Sequence, residues 1–408
     1  MVAAAAGTDA LAAGVPLRDG RLIQPLAPRG APEAFSEGDV STAEAARADA
    51  APATSAGTAS TGSRRPAGEA PMTTAAVTSA SAIAAAGTSC TPAWGTFRAG
   101  NWPSACWRPY GPSSPFNVPI PASPRIYGES ASIIRYMTGH GWRFEHDEAG
   151  DFTWDAGGSR PVYWSTSSDP IITVTCRTGC IQGMRLHIPA QATPEAGSDA
   201  HMTVVDQERG REYDFWQATK PSNGQMTVSA GKSIPIGNET GTGLGGDAEA
   251  ADLGLLGGII RAPELAAGKI EHALVTTVKC VQEADVWPSP ATGKGDAICP
   301  NAGLGPRFAS LLQLHMSEAE IAATNAPAWQ QTIMRAMAHY GVYVVDTQNS
   351  SSMFVLAEDD LSFTSFGYPG EMSEFVRAQG STSGLLVGVP IETKKLRVID
   401  PCVPQGTC

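Results

Sequence analysis

The sequence predicts a mainly β protein: β-sandwich or jelly-roll-like antiparallel sheets with a few peripheral helices, preceded by a disordered leader. Three observations carry that expectation. Gly (44) and Pro (31) are abundant among the 408 residues while charged residues make up only 17%, a balance suited to many short strands and turns. Short apolar or alternating runs recur between turn residues, and helical periodicity is clear only late in the chain. All nine Trp, all eight Tyr, all eight Cys and ten of the eleven Phe lie from Cys90 onward, so only that part can build a core.

Residues 1–88 hold one aromatic side chain, Phe35, among long Ala/Thr/Ser/Gly/Pro runs such as 51–62 and 75–87. Such a segment cannot offset its chain entropy by burial and is expected to be disordered. Residues 89–408 are the expected single folded β-rich domain. Met1–Gly14 is Ala-rich but lacks a basic start and is interrupted by Thr8 and Asp9, so it does not read as a secretory signal. Cys90 with Cys106, Cys176 with Cys180, Cys280 with Cys299 and Cys402 with Cys408 are near neighbours. Four local disulfides are expected, and with them a secreted or cell-envelope-exposed location. Paired C-x-x-C units are absent, so no metal site is expected, and no cofactor. Forty acidic residues against 28 basic ones, with no basic run, argue against nucleic acid. No run of 18 apolar residues predicts a membrane span.

Along the folded part, 90–124 reads as an extended segment laid over the core, and Ser130–Met137 as a short helix. Val162–Trp164, Ile171–Cys176 and Met184–Ile188 read as strands, and Ile270–Cys280 as a long one. Ser317 with Glu320 has the spacing of a capping box and starts a helix. Pro327–Tyr340 is a second helix, with Trp329, Ile333 and Met337 on one stripe, followed by strand Gly341–Asp346.

His201–Asp206 and Glu212–Ala218 form the clearest hairpin. With a four-residue loop at 207–210, Asp206 opposes Arg211, Val205 Glu212, Val204 Tyr213, Thr203 Asp214, Met202 Phe215, and His201 Trp216. Alternation then puts His201, Thr203, Val205, Glu212, Asp214 and Trp216 on one face, and Met202, Val204, Tyr213 and Phe215 on the core face. An imidazole, two carboxyls and an indole together suit the wall of a sugar-binding cleft. The alternative is a solvated outer sheet face, which fits Glu212 alone better than it fits Trp216 beside His201 and Asp214.

Pro263 and Gly268 frame a short helix before the 270–280 strand, in which Ile270, His272, Leu274, Thr276 and Val278 share an inward face. His272 must find a polar partner there, as a core or a site histidine, and Glu271 points out. Gly241, Gly243 and Gly246 match the letters of G-x-G-x-x-G without a strand before or a helix after, so no nucleotide site is expected. Asp346 ends an apolar strand, either as a carboxylate at a rim or as the start of a turn with Gln348 and Asn349. The acidic run Glu145, His146, Asp147, Glu148 with Asp151 and Asp155 reads as a solvated loop, with calcium the lesser alternative.

Several blocks resemble a group of exported, largely uncharacterised bacterial proteins: Ser198-Asp199-Ala200-His201 through Asp206, Tyr213-Asp214-Phe215-Trp216, Gly257-Gly258-Ile259-Ile260 through Glu271-His272-Ala273-Leu274, Val286-Trp287-Pro288, and Tyr340-Gly341 through Asp346. The resemblance spans roughly 115–400 and implies that Asp199, His201, Asp206, Asp214, His272 and Asp346 are features of the group. It attaches no activity to them. Where the group often carries Glu after the Tyr, this chain has the shorter Asp214.

Together these readings predict an extracellular carbohydrate-active enzyme, a glycoside hydrolase or polysaccharide lyase, working by carboxylate and histidine acid–base catalysis in a sheet-lined cleft. The expected catalytic residues are His201, Asp214, His272 and Asp346, and the expected binding residues Trp216, Asp199, Asp206, Glu212, Tyr340 and Trp287. Hydrolysis would use Asp214 with Asp346 or Asp206. Elimination would use His201 or His272 as base and Tyr340 or Tyr343 as acid. The expected partner is a polysaccharide or other glycan. A non-catalytic carbohydrate-binding or cell-surface module, stacking sugars on Trp216 and Trp287, is the alternative, and a calcium or other metal site at Asp199 and His201 a third reading.

Overall fold

The computed structural model describes residues 94–408 apart from 145–158, 179–182, 237–240, 283, 290–296, 301–303, 349–350 and 381–388, together with 15–16 and 22–23. The chain divides into two units, 1–74 and 75–408. In the first, β1 (Val15–Pro16) pairs antiparallel with β2 (Leu22–Ile23). The rest of the expected leader and the acidic run 145–155 lie outside the described residues.

The second unit is mainly β. Its described strands are β3 (Val162–Ser165), β4 (Ile171–Cys176), β5 (Met184–His187), β6 (Met202–Asp206), β7 (Arg211–Trp216), β8 (Gln225–Val228), β9 (Ala230–Pro235), β10 (Leu274–Val278), β11 (Leu311–Leu314), β12 (Val342–Thr347) and β13 (Leu396–Ile399). The helices are short: α1 (Ser130–Gly139), α2 (Ala262–Ala267), α3 (Glu318–Ala323), α4 (Ala328–His339), α5 (Leu361–Thr364), α6 (Glu371–Ala378) and α7 (Cys402–Gln405). Local chemistry sets their ends. Ser317 and Glu320 form the expected capping box of α3, and Gly268 ends α2 with a left-handed φ of 68° that only glycine adopts at little cost. The long strand expected over 270–280 begins only at Leu274, so His272 sits in its irregular lead-in.

Among its described residues this unit forms three sheets, in the orders β3-β6-β7-β9, β5-β4-β8 and β10-β12-β11-β13. The expectation of antiparallel sheets is corrected, because β3–β6, β4–β8 and β10–β12 pair in parallel. The physical reason lies in burial. The β3-β6-β7-β9 sheet gives one face, with Tyr163, Met202, Val204, Tyr213 and Phe215, to a core shared with Ile172, Val174, Leu186, Met226 and Val228 of the three-stranded sheet. Its other face sends Val162, Trp164 and Val205 into a larger core that holds Leu274, Leu312, Val342 and Val344 of the third sheet. A sheet covered on both faces can take strands that return by long connections over its faces, and so admits parallel neighbours.

Cys280–Cys299 and Cys402–Cys408 are disulfide-bonded as expected. Cys106 and Cys176 are oxidised too, and their expected partners, Cys90 and Cys180, lie outside the described residues. No described helix is long and apolar enough to cross a membrane.

Candidate functional site

β6 and β7 pair in the register read from the sequence, with Met202 opposite Phe215, Thr203 opposite Asp214, Val204 opposite Tyr213 and Val205 opposite Glu212. His201, Thr203, Glu212 and Asp214 therefore share the face turned away from the smaller core. That face is not the wall of an open cleft, which corrects the expectation: the four residues are at most 2% exposed. The 110–117 segment and residues 248–258 lie over it and supply partners for its polar atoms.

The first cluster is a clamp on two carboxyls. Glu212 accepts hydrogen bonds from the Tyr110 hydroxyl at 2.8 Å and from the Leu256 amide at 2.9 Å. Asp214 accepts from the Thr203 hydroxyl at 2.9 Å and the Leu255 amide at 3.1 Å. Burial, and then the charge of Glu212, push the Asp214 pKa well above the ordinary carboxyl value, and burial raises Glu212 as well. Two enclosed carboxyls that repel each other favour a protonated member, and the amides of Leu255 and Leu256 each donate to one of them.

The second cluster joins the first sheet to the third. His201 Nδ1 faces Glu195 at short hydrogen-bond distance, and Nε2 faces the Ala248 carbonyl at 3.0 Å. Arg160 lies alongside, 2.6 Å from Glu249 through Nη2 and 3.6 Å from Glu195 through Nη1. Burial raises Glu195, but the hydrogen bond from His201 and the guanidinium of Arg160 outweigh it and hold the carboxyl at about 2. Glu249 lies two residues before Ala251, whose amide donates to the Val345 carbonyl at 2.9 Å. That carbonyl is freed by an irregularity in the β10–β12 ladder, where Thr276 pairs with Val344 but Thr277 with Asp346. A bulge re-aims the next side chain, here Asp346. The residue is half-buried, and burial of its carboxyl, followed by the charge of Glu249, raises its pKa to about 6. His201 and Arg160 oppose that rise, so Asp346 belongs electrostatically to this cluster.

His272 belongs to a third cluster. Its Nε2 lies 3.1 Å from Glu264, its Nδ1 2.9 Å from the Ala273 carbonyl. Burial raises Glu264, and Arg261 (2.9 Å) and His272 more than reverse it, leaving the carboxyl at about 2. Arg261 also sits 5.5 Å over the Trp107 ring. His201 and Asp346 thus feel each other's charge without a direct hydrogen bond among the described residues, Glu212 and Asp214 share a separate enclosure, and His272 stands apart.

The expected binding residues spread out. Trp216 is half-buried and donates from Nε1 to the exposed Asp199 at 3.0 Å. Asp206 accepts from the Arg209 amide and guanidinium and so holds the hairpin turn. Tyr340 is half-buried, its pKa raised by burial and by Glu271. Trp287 is half-buried and precedes Pro288 through a cis bond. Among the described residues no group of three or more His, Cys, Asp or Glu is placed to hold a metal.

Sequence reasoning missed Arg160, Glu195 and Glu249, which complete the His201 cluster from three separate segments. It also missed Glu358 and Asp359, raised to about 8 and about 7, each chiefly by burial. A signal existed for the last two: acids closing the apolar run Phe354–Ala357, the same pattern that singled out Asp346. Comparisons with protein families, with curated proteins and with solved structures find no match to this chain.

Proposed function

We propose that this protein is an extracellular glycan-cleaving enzyme, a glycoside hydrolase whose reaction centre is the cluster of Asp346, Glu249, Arg160, His201 and Glu195. One observation carries the reading: Asp346 is half-buried, set at a strand bulge, and its pKa is raised to about 6 by burial and by Glu249. A carboxyl that keeps its proton at mildly acidic pH, beside a second carboxyl ion-paired to arginine, is the pairing that glycoside hydrolysis needs. Asp346 donates its proton to the glycosidic oxygen as that C–O bond breaks. Water adds to the anomeric carbon and gives its proton to Glu249, and solvent exchange restores both carboxyls. Arg160 holds Glu249 through Nη2 at 2.6 Å.

Hydrolysis is favoured over elimination because both ring nitrogens of His201 and of His272 already face oxygen partners, which leaves neither imidazole free as a base. Backbone strain accompanies the cluster. Ala200, beside His201, has φ 42°, and Asp252, beside Ala251, has φ 54°, a region that non-glycine residues rarely occupy.

The test is release of reducing ends from a panel of neutral and acidic polysaccharides. Asp346→Asn is expected to lower the rate by about 10²–10⁴-fold, the range of a lost general acid. The wild-type rate should fall as pH rises through about 6, where Asp346 loses its proton. Full activity in Asp346→Asn overturns the assignment. Trp216, half-buried at the end of β7 and oriented by Asp199, favours a second reading, a glycan-binding module; binding to polysaccharide with no cleavage product and no effect of Asp346→Asn would select it.

A further inference from the structure

On a chain with a net charge of −12, one groove is lined by cations and by no carboxylate. It has a volume of about 790 Å³ and runs between α1 and β13, at the opposite edge of its sheet from β10. Arg135 projects from the exposed side of α1, Lys394 precedes β13, and Arg397 lies within β13. The floor is apolar: Ile126, one of five large hydrophobic side chains exposed among the described residues, with Tyr127, Ile134 and Leu396. A second hollow of about 480 Å³, sharing Lys394 and Leu396, continues it past Lys395, His315 and the carboxylate of Glu320.

The cations are incompletely neutralised. Lys394 pairs with Glu392, and Lys395 with Glu320 at 2.9 Å. Arg397 instead donates from Nε to the neutral Gln313 side chain at 2.8 Å, and partial burial lowers its pKa. Among the described residues Arg135 reaches only the Ser132 hydroxyl, at 3.5 Å. A partly desolvated guanidinium without a carboxylate gains strongly from an anion, because charge-assisted bonds formed there replace water rather than an existing partner. The guanidinium fork matches the two oxygens of a carboxylate.

We infer that this groove binds an acidic polysaccharide whose carboxylates sit on Arg135 and Arg397 while the apolar faces of its sugars lie on Ile126 and Tyr127. The inference rests on the glycan reading above for the class of polymer, but on a different set of residues. A single-stranded nucleic acid would need several stacked aromatic platforms, and the groove offers Tyr127 alone. A membrane surface would need a broad exposed apolar face, and of the large hydrophobic side chains lining the groove Ile126 alone is exposed. The groove is therefore an anchoring subsite, which would hold an acidic polymer while Asp346 acts elsewhere on it.

Affinity electrophoresis of the full chain through gels containing polygalacturonate, neutral β-glucan or no polymer tests this, with single-stranded DNA and phosphatidylglycerol vesicles as competitors. Retardation by polygalacturonate alone is expected, and it should weaken with added salt. Arg135→Glu with Lys394→Glu, two exposed positions that leave the packed residues untouched, should reduce the affinity at least tenfold, and Arg397→Gln severalfold. Asp346→Asn should bind like wild type, so a failed hydrolase assignment and a failed groove assignment give different results. No retardation by polygalacturonate, equal retardation by the neutral glucan, unchanged binding in the double variant, or full displacement by DNA or vesicles below the polymer's own dissociation constant would each overturn the inference.

Discussion

Asp214 meets Glu212 in an enclosure where both are 0% exposed, and burial together with the charge of Glu212 raises its pKa well above the ordinary carboxyl value. Burial thus favours the neutral, protonated form of Asp214. Asp214→Asn keeps a neutral, planar group of nearly the same shape and should be tolerated. Asp214→Ala leaves the Thr203 hydroxyl, the Leu255 amide and Glu212 short of a partner, at a cost of about 1–3 kcal/mol for each buried group left unsatisfied. Urea titration of the two variants should place the alanine protein well below the asparagine one; equal loss would mean that Asp214 is not held in the protonated form. Such residue-level facts were half legible. The sequence put Glu212, Asp214 and His201 on one face, but their partners, Tyr110, Leu255, Glu195 and Arg160, lie between 6 and 102 residues away in the chain.

The elements that carry these residues follow local rules closely. A four-residue loop and two alternating runs sufficed to set the β6–β7 register, because a slip of one residue would exchange every side chain between the two faces. Pro263 and Gly268 likewise bounded α2. Residues 254–258 are an element of another kind, irregular chain held by its backbone. Gly258 has φ 73°, and a Cβ there would stand 2.7 Å from Val275 Cγ1 and 3.0 Å from the Ala273 carbonyl. Gly258→Ala is expected to destabilise by more than about 1 kcal/mol, since strain and overlap add. It should also disturb the Leu255 and Leu256 amides that hold the two carboxyls. Hydrogen exchange would show this as faster exchange at those two amides; unchanged exchange with a lowered melting point would confine the effect to strain. No periodicity marks such a segment, which is why its role could not be read beforehand.

Across the molecule, buried acids fall into two opposed sets. Asp346, Asp359 and Glu358 stand at about 6, 7 and 8, raised chiefly by burial. The folded state keeps protons on them that the unfolded chain releases near pH 4, so their contribution is whole at lower pH and is lost as pH rises through those values. Glu195 and Glu264, at about 2, work in the other sense: their ion pairs are fully stabilising above roughly pH 4.5 and are lost as pH falls toward 2. Thermal melting followed from acid to alkaline pH should peak at roughly pH 4–5 and decline on both sides. Glu358→Gln should flatten the alkaline decline most, because Glu358 has the highest of the three values. A midpoint that rose from pH 5 to 9 would contradict these positions.

The sequence by itself determined the mainly β character, the main hairpin with its register, the caps of α2 and α3, and the Cys280–Cys299 and Cys402–Cys408 disulfides, because each depends on spacing within a few residues or on a short loop. Only the tertiary structure decided what lies over the polar face of that hairpin and which strands run parallel. Burial on both faces of a sheet is a property of what packs against it. The same alternation that marks a solvated sheet face marks one buried against charged partners, and the two differ only in residues brought from elsewhere in the chain.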